Sequence, residues 1–123
     1  AGWGPRFEGW QNYLEAHTAL EFNAMQWVKT VEAVQAHWDL IPEKNKIEVR
    51  YEDLLADPVA TISSIIDFLG YRPQAGFFEK IPELIPDNVE KWKDGFTEAQ
   101  IETIKPILTP LLEKTGYLQK NPW

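Results

Sequence analysis

Two lysines, Lys91 and Lys93, flank Trp92 just downstream of Asn88 in a chain whose net charge is −7. An ammonium group and a side-chain amide close together can hold a cluster of anionic oxygens. The competing reading is a solvated surface turn in which the tryptophan is the anchor. Tyr51 carries a phenol at the end of an alternating segment, and Glu52 and Asp53 follow it directly. Those carboxylates could orient a ligand at the carboxyl end of a strand, where open α/β sheets bind ligands. On local sequence the leading account is a pair favoured by the dipole of a short helix starting there. Tyr51 itself reads either as a donor to a ligand or as a packed tyrosine with a satisfied hydroxyl.

Other chemistries find little support. His17 and His37 are far apart and lack the spacing of a helical metal site, so both read as surface or interface histidines. Ser63 and Ser64 have no nucleophile elbow around them. There is no phosphate-cradling Gly-rich loop followed by Lys-Ser/Thr, and no dinucleotide fingerprint. The chain has no cysteine, which removes disulfides, thiolate zinc sites and thiol catalysis and suits a reducing, cytoplasmic setting. Twelve Lys plus Arg against nineteen Asp plus Glu argue against a nucleic-acid partner, which needs a basic stripe. The longest apolar runs, such as "ISSIIDFL", are too short to span a bilayer, and no signal peptide is expected.

The elements that must position these groups are mostly helical. At 123 residues, 44% of them hydrophobic, the chain can bury one core. Residues 1–10 are irregular, with three glycines and a proline around Trp3, Phe7 and Trp10. Thr18 with Glu21 has capping-box spacing. Beyond it Leu20, Ala24, Trp27, Val31, Val34 and Trp38 define one apolar face of a helix running to about His37. In "KIEVRYEDL", Ile47, Val49 and Tyr51 alternate with Glu48 and Arg50, which predicts one short β-strand in need of a partner.

Asp57 and Pro58 start a second helix, with Ile62, Ile65, Ile66 and Leu69 as its stripe and Gly70 beyond its end. A short helical turn is expected around "AGFFEKI", then a long loop over residues 81–96. Thr97 with Gln100 repeats the capping box. Ile101, Ile104, Leu108, Leu111 and Leu112 then form the last helix's stripe, kinked at Pro106 and Pro110 and closed by Gly116.

Four blocks, in order, resemble the C-terminal half of a PAPS-dependent sulfotransferase. "VRYEDLLADPVATISSIIDFLG" resembles the family's strand-then-helix block. "NVEKWKDGFTEAQIETIKPILTPLLEKTGYL" resembles its closing block, most closely that of protein-tyrosine sulfotransferases and related bacterial enzymes. "WGPRFEGW" and "QWVKTVEAV" resemble the loop after the 3′-phosphate-binding segment and the helix that follows it. The resemblance implies the C-terminal part of a P-loop-like α/β fold with a parallel sheet, here a single partial domain over residues 1–123. It implies 3′-phosphoadenosine 5′-phosphosulfate (PAPS) as donor, with no metal, and an acceptor hydroxyl or amine.

Under the same resemblance, Tyr51, Asn88 and either Lys91 or Lys93 contact the donor, while Trp3 and Arg6 border the acceptor. The spacing from Asn88 to the lysines is shorter than in protein-tyrosine sulfotransferases, which leaves the choice of lysine open. The family's N-terminal strand, its Ser-Gly-Thr-Thr loop and its acid/base residue have no counterpart in these 123 residues, so no catalytic residue is assigned. The chain alone is expected to be inactive, and to self-associate through its exposed strand and apolar surface. The alternative reading is a non-enzymatic helical interaction module.

Overall fold

The computed structural model describes residues 4–84 and 91–120. Its helices are α1 (Trp10–Ala16), α2 (Ala19–Trp38), α3 (Tyr51–Ala56), α4 (Pro58–Phe68), α5 (Lys91–Gly95), α6 (Glu98–Lys114) and α7 (Tyr117–Lys120). Single 3-10 turns occur at Glu43–Asn45 and at Phe78–Lys80, the second inside the "AGFFEKI" segment where a helical turn is expected. The chain divides into two units, residues 1–39 with 96–123 and residues 40–95.

In the first unit α2 packs along α6, with α1 against α2 and α7 against α6. Both long helices start at capping boxes. The Thr18 hydroxyl accepts from the Glu21 N–H, and the Thr97 hydroxyl from the Gln100 N–H, while each N3 side chain reaches back to the cap backbone. The core comes from Phe22, Ala24 and Val28 of α2 with Ile104 and Leu111 of α6.

This corrects part of the expected face of α2: Ala24 of that stripe is buried, but the face is turned toward Phe22 and Val28. Val28 is 7% exposed, whereas Trp27 and Val34 of the expected stripe are 40% and 54% exposed. The physical reason is the aromatic N-terminal segment. Phe7 and Trp10 meet Phe22 at ring-centroid distances of 5.8 and 6.4 Å, drawing the Phe22 side of the helix inward. Helix α6 keeps its expected stripe and continues through Pro106 and Pro110, each of which removes one backbone donor without ending the helix.

α1 has no counterpart in the sequence expectations. It begins after Gly9, whose φ of 76° is left-handed, and no side chain caps it. At its other end the His17 ring stacks on Tyr13 with centroids 3.9 Å apart, and His17 Nδ1 lies 3.0 Å from the Tyr13 carbonyl. His37 Nδ1 makes the same contact with the Ala33 carbonyl at 2.8 Å. Each histidine therefore has a local backbone partner, and no group of metal-ligating side chains occurs among the described residues.

In the second unit α3 and α4 form a short helical pair around Asp57. Its side chain accepts from the Ala60 N–H at 2.9 Å, and Pro58 takes the first helical position. The Thr61 hydroxyl donates to the Asp53 carbonyl at 3.1 Å, tying the two helices together. α4 ends in a Schellman motif. Gly70, at φ 65°, donates to the Asp67 carbonyl, and Tyr71 donates to that of Ile66. Ile66 is buried as expected, but Leu69 is 67% exposed.

The expected strand does not form. Lys46 and Arg50 keep extended backbone angles, with φ, ψ of −134°, 142° and −88°, 139°. Between them Ile47, Glu48 and Val49 make no backbone hydrogen bond to another described residue. Extended geometry is thus present without a ladder, because a strand needs a second strand to satisfy its N–H and C=O groups. Tyr51 accordingly opens α3 rather than ending a strand. No strand occurs among the described residues.

Candidate functional site

α5 turns part of the expected 81–96 loop into helix, and with it the Lys91-Trp92-Lys93 clasp. Trp92 is half-buried, while both lysines are exposed. Lys93 Nζ lies 5.9 Å from the Trp92 ring centroid, at the outer range of a cation–π contact. Residues two apart on a helix point about 200° away from each other. Lys91 and Lys93 therefore address different sides of α5, and a single compact anion can face only one of them.

Tyr51 is 50% exposed at the first position of α3. Glu52 and Asp53 occupy the same first turn, where the helix dipole favours carboxylates. That placement fits the local account of the pair. No hydrogen bond joins Tyr51 to Lys91, although both belong to the 40–95 unit. Asn88, the other residue expected near the donor, lies outside the described residues, as does Trp3.

Arg6 belongs to the first unit and is held from two directions. Its guanidinium carbon sits 4.0 Å from the centroid of the Trp10 ring. The neighbouring Pro5 carbonyl accepts a 2.6 Å hydrogen bond from Gln26 Nε2 on α2. Neither Trp10 nor Gln26 is signalled by sequence spacing, since the Gln26–Pro5 contact joins residues 21 apart. The Tyr13 phenol close by has its pKa pushed up, first by burial and then by the Glu21 carboxylate. The Glu21 carboxyl is itself held below its usual range, chiefly by the Thr18 backbone N–H and then by the Thr18 hydroxyl.

A helical chain thus presents an arginine on an aromatic support in one unit and exposed lysines beside a tryptophan in the other. Residues 3–74, more than half of the chain, match the sulfotransferase family. The chain belongs to that family. The match includes Arg6, Gln26 and Tyr51 and ends before α5. No curated protein and no solved structure matches the chain.

Proposed function

We propose that the chain is part of a domain that moves a sulfuryl group from PAPS to an acceptor hydroxyl or amine. The observation that carries this reading is the family match over residues 3–74 together with the basic, aromatic clasp on α5 downstream of it. The residues present fit a phosphosulfate: Lys91 offers an exposed ammonium and Tyr51 a half-exposed phenol. PAPS supplies the activated sulfuryl group. Attack by the acceptor would form one S–O or S–N bond and break the bond to the phosphate, whose oxygen keeps the electron pair, while the acceptor's proton would leave to water or to a base outside these residues.

In this reading the chain's residues position and neutralise charge, as they do in phosphoryl transfer. Lys91 balances charge on the donor. Lys93, with its Trp92 contact on another side of α5, keeps the tryptophan seated. Tyr51 and Asn88 donate hydrogen bonds to the donor, while Arg6 and Trp3 border the acceptor. The rest of the fold we take to be a parallel sheet that residues 46–50 would join. The chain alone has no phosphate-cradling loop, and we expect it neither to transfer sulfuryl groups nor to remain monomeric.

The test is a PAPS titration of the chain followed through lysine side-chain resonances. Lys91 is expected to shift saturably. Lys91→Ala should weaken binding by about 1 kcal/mol, the ordinary scale of an exposed charge contact, and Lys93→Ala by less. Equal indifference to both substitutions would reduce the clasp to a surface turn. Transfer of labelled sulfate to any acceptor by the purified chain would overturn the inactivity.

A further inference from the structure

We infer that Gln26 is a positioning residue for Arg6, acting as a latch between α2 and the Gly4–Arg6 loop; this rests on the reading that Arg6 borders the acceptor. A loop rich in glycine and proline has no helix or ladder to fix it, so its pose depends on side-chain contacts. Two such contacts meet this loop. Gln26 Nε2 donates to the Pro5 carbonyl at 2.6 Å, immediately before Arg6. The Arg6 guanidinium then lies over Trp10 at 4.0 Å, and Trp10 packs against buried Phe22.

Gln26 and Phe22 are one turn apart on α2, so a single helical segment holds both the backbone of the loop and the aromatic support of the guanidinium. Gly4 shows how close the latch is. A Cβ there would stand 3.0 Å from Gln26 Nε2 and 3.2 Å from Oε1, and the residue's φ of 120° is a conformation that only glycine adopts readily. A side chain at that position would crowd the Gln26 amide, forcing it to give by a few tenths of an ångström, and would strain the backbone as well. Gln26 thereby sets where the arginine charge is offered, without touching the ligand itself.

The experiment follows the Arg6 Nε–Hε resonance in the full chain, which the Trp10 ring should displace upfield, while sodium sulfate is added as an anion probe. Gln26→Leu, which cannot donate, should collapse the ring-current displacement and weaken the sulfate response about threefold, on the scale of an exposed cation–π contact. Helical content and thermal midpoint should stay close to those of the parent chain. Gln26→Lys, long enough to reach the Pro5 carbonyl with a donor, should restore the Arg6 signal. Gly4→Ala is an independent variant that should displace the latch with Gln26 intact.

An Arg6 resonance unmoved by Gln26→Leu and by Gly4→Ala overturns the latch. So does a loss that follows the thermal midpoint and is not restored by lysine. A parent chain whose Arg6 keeps its ring-current displacement but ignores sulfate speaks against Arg6 as an anion contact and leaves the latch standing.

Discussion

Glu21 Oε2 accepts hydrogen bonds from both the backbone N–H and the hydroxyl of Thr18, each at 2.8 Å, and the Glu21 N–H returns one to the Thr18 oxygen at 3.3 Å. The pair closes the start of α2, and its direct consequence is a pH dependence. Because those bonds favour the carboxylate, the Glu21 pKa is lower in the folded chain than its ordinary 4.5. A lowered carboxyl pKa contributes stability above the unfolded value and loses it as pH falls through the folded value. Acid titration monitored by circular dichroism should show α2 weakening below pH 4.5, with a smaller acid slope in Glu21→Gln. Identical slopes for the two chains would rule the linkage out.

The matching box at Thr97 and Gln100 contains no carboxylate, so its contribution should not depend on acid in this way. Thr97→Ala removes the acceptor for the Gln100 N–H at 3.3 Å and should cost about 1 kcal/mol in urea unfolding. Thr97→Gly should cost only a few tenths, since glycine caps helices tolerably. A larger loss for glycine than for alanine would assign Thr97 a role other than capping.

Where the sequence carried a local chemical signal, the fold was readable. The two capping boxes, the Asp57-Pro58 start and the Gly70 stop all appear with the hydrogen bonds their residue types require. What depends on distant partners was not. The Ile47–Val49 segment has the alternating pattern of a strand and lies between extended Lys46 and Arg50, but pairing is a property of two segments, and this one finds no mate among the described residues. α1 escaped because its N-terminus rests on a left-handed glycine with no side-chain cap. The face of α2 was misplaced at Trp27 and Val34 because they are as apolar as buried residues, and only the aromatic cluster around Phe22 decides between the two sides. Among the groups proposed to meet ligands, Tyr51, Lys91 and Lys93 were picked out by residue type and Arg6 by the family resemblance. Gln26 was not, since nothing local distinguishes a glutamine that bonds a carbonyl 21 residues away.

Packing between α2 and α6 yields a sharp contrast. Leu111 is 4% exposed and Ile104 6%, so Leu111→Ala and Ile104→Ala should each lose about 2–5 kcal/mol through transfer and cavity terms. Leu69, an equally apolar residue at the end of α4, is 67% exposed, and Leu69→Ala should fall within about 0.5 kcal/mol of the parent. Urea midpoints at constant m-value measure both. Comparable losses at Leu69 and Leu111 would mean that Leu69 is covered in solution.

That possibility matters most at residues 46–50. Ile47, Val49 and Tyr51 are 37%, 39% and 50% exposed, and the backbone groups of Ile47, Glu48 and Val49 make no hydrogen bond to another described residue. Backbone groups without a hydrogen-bond partner beside exposed apolar side chains are a template for another chain. Sedimentation velocity of the purified chain should therefore show concentration-dependent association. Lysine is a residue with which natural sheet edges repel such pairing, so Val49→Lys should shift the equilibrium toward monomer. It should do so without loss of helical content, since Val49 precedes α3 and lies outside every helix. A chain that sediments as one monomer across the whole concentration range would show that this segment is not sticky by itself. Association that Val49→Lys leaves unchanged would move the contact elsewhere, and Trp27 and Val34 on the open side of α2 would be the next residues to substitute.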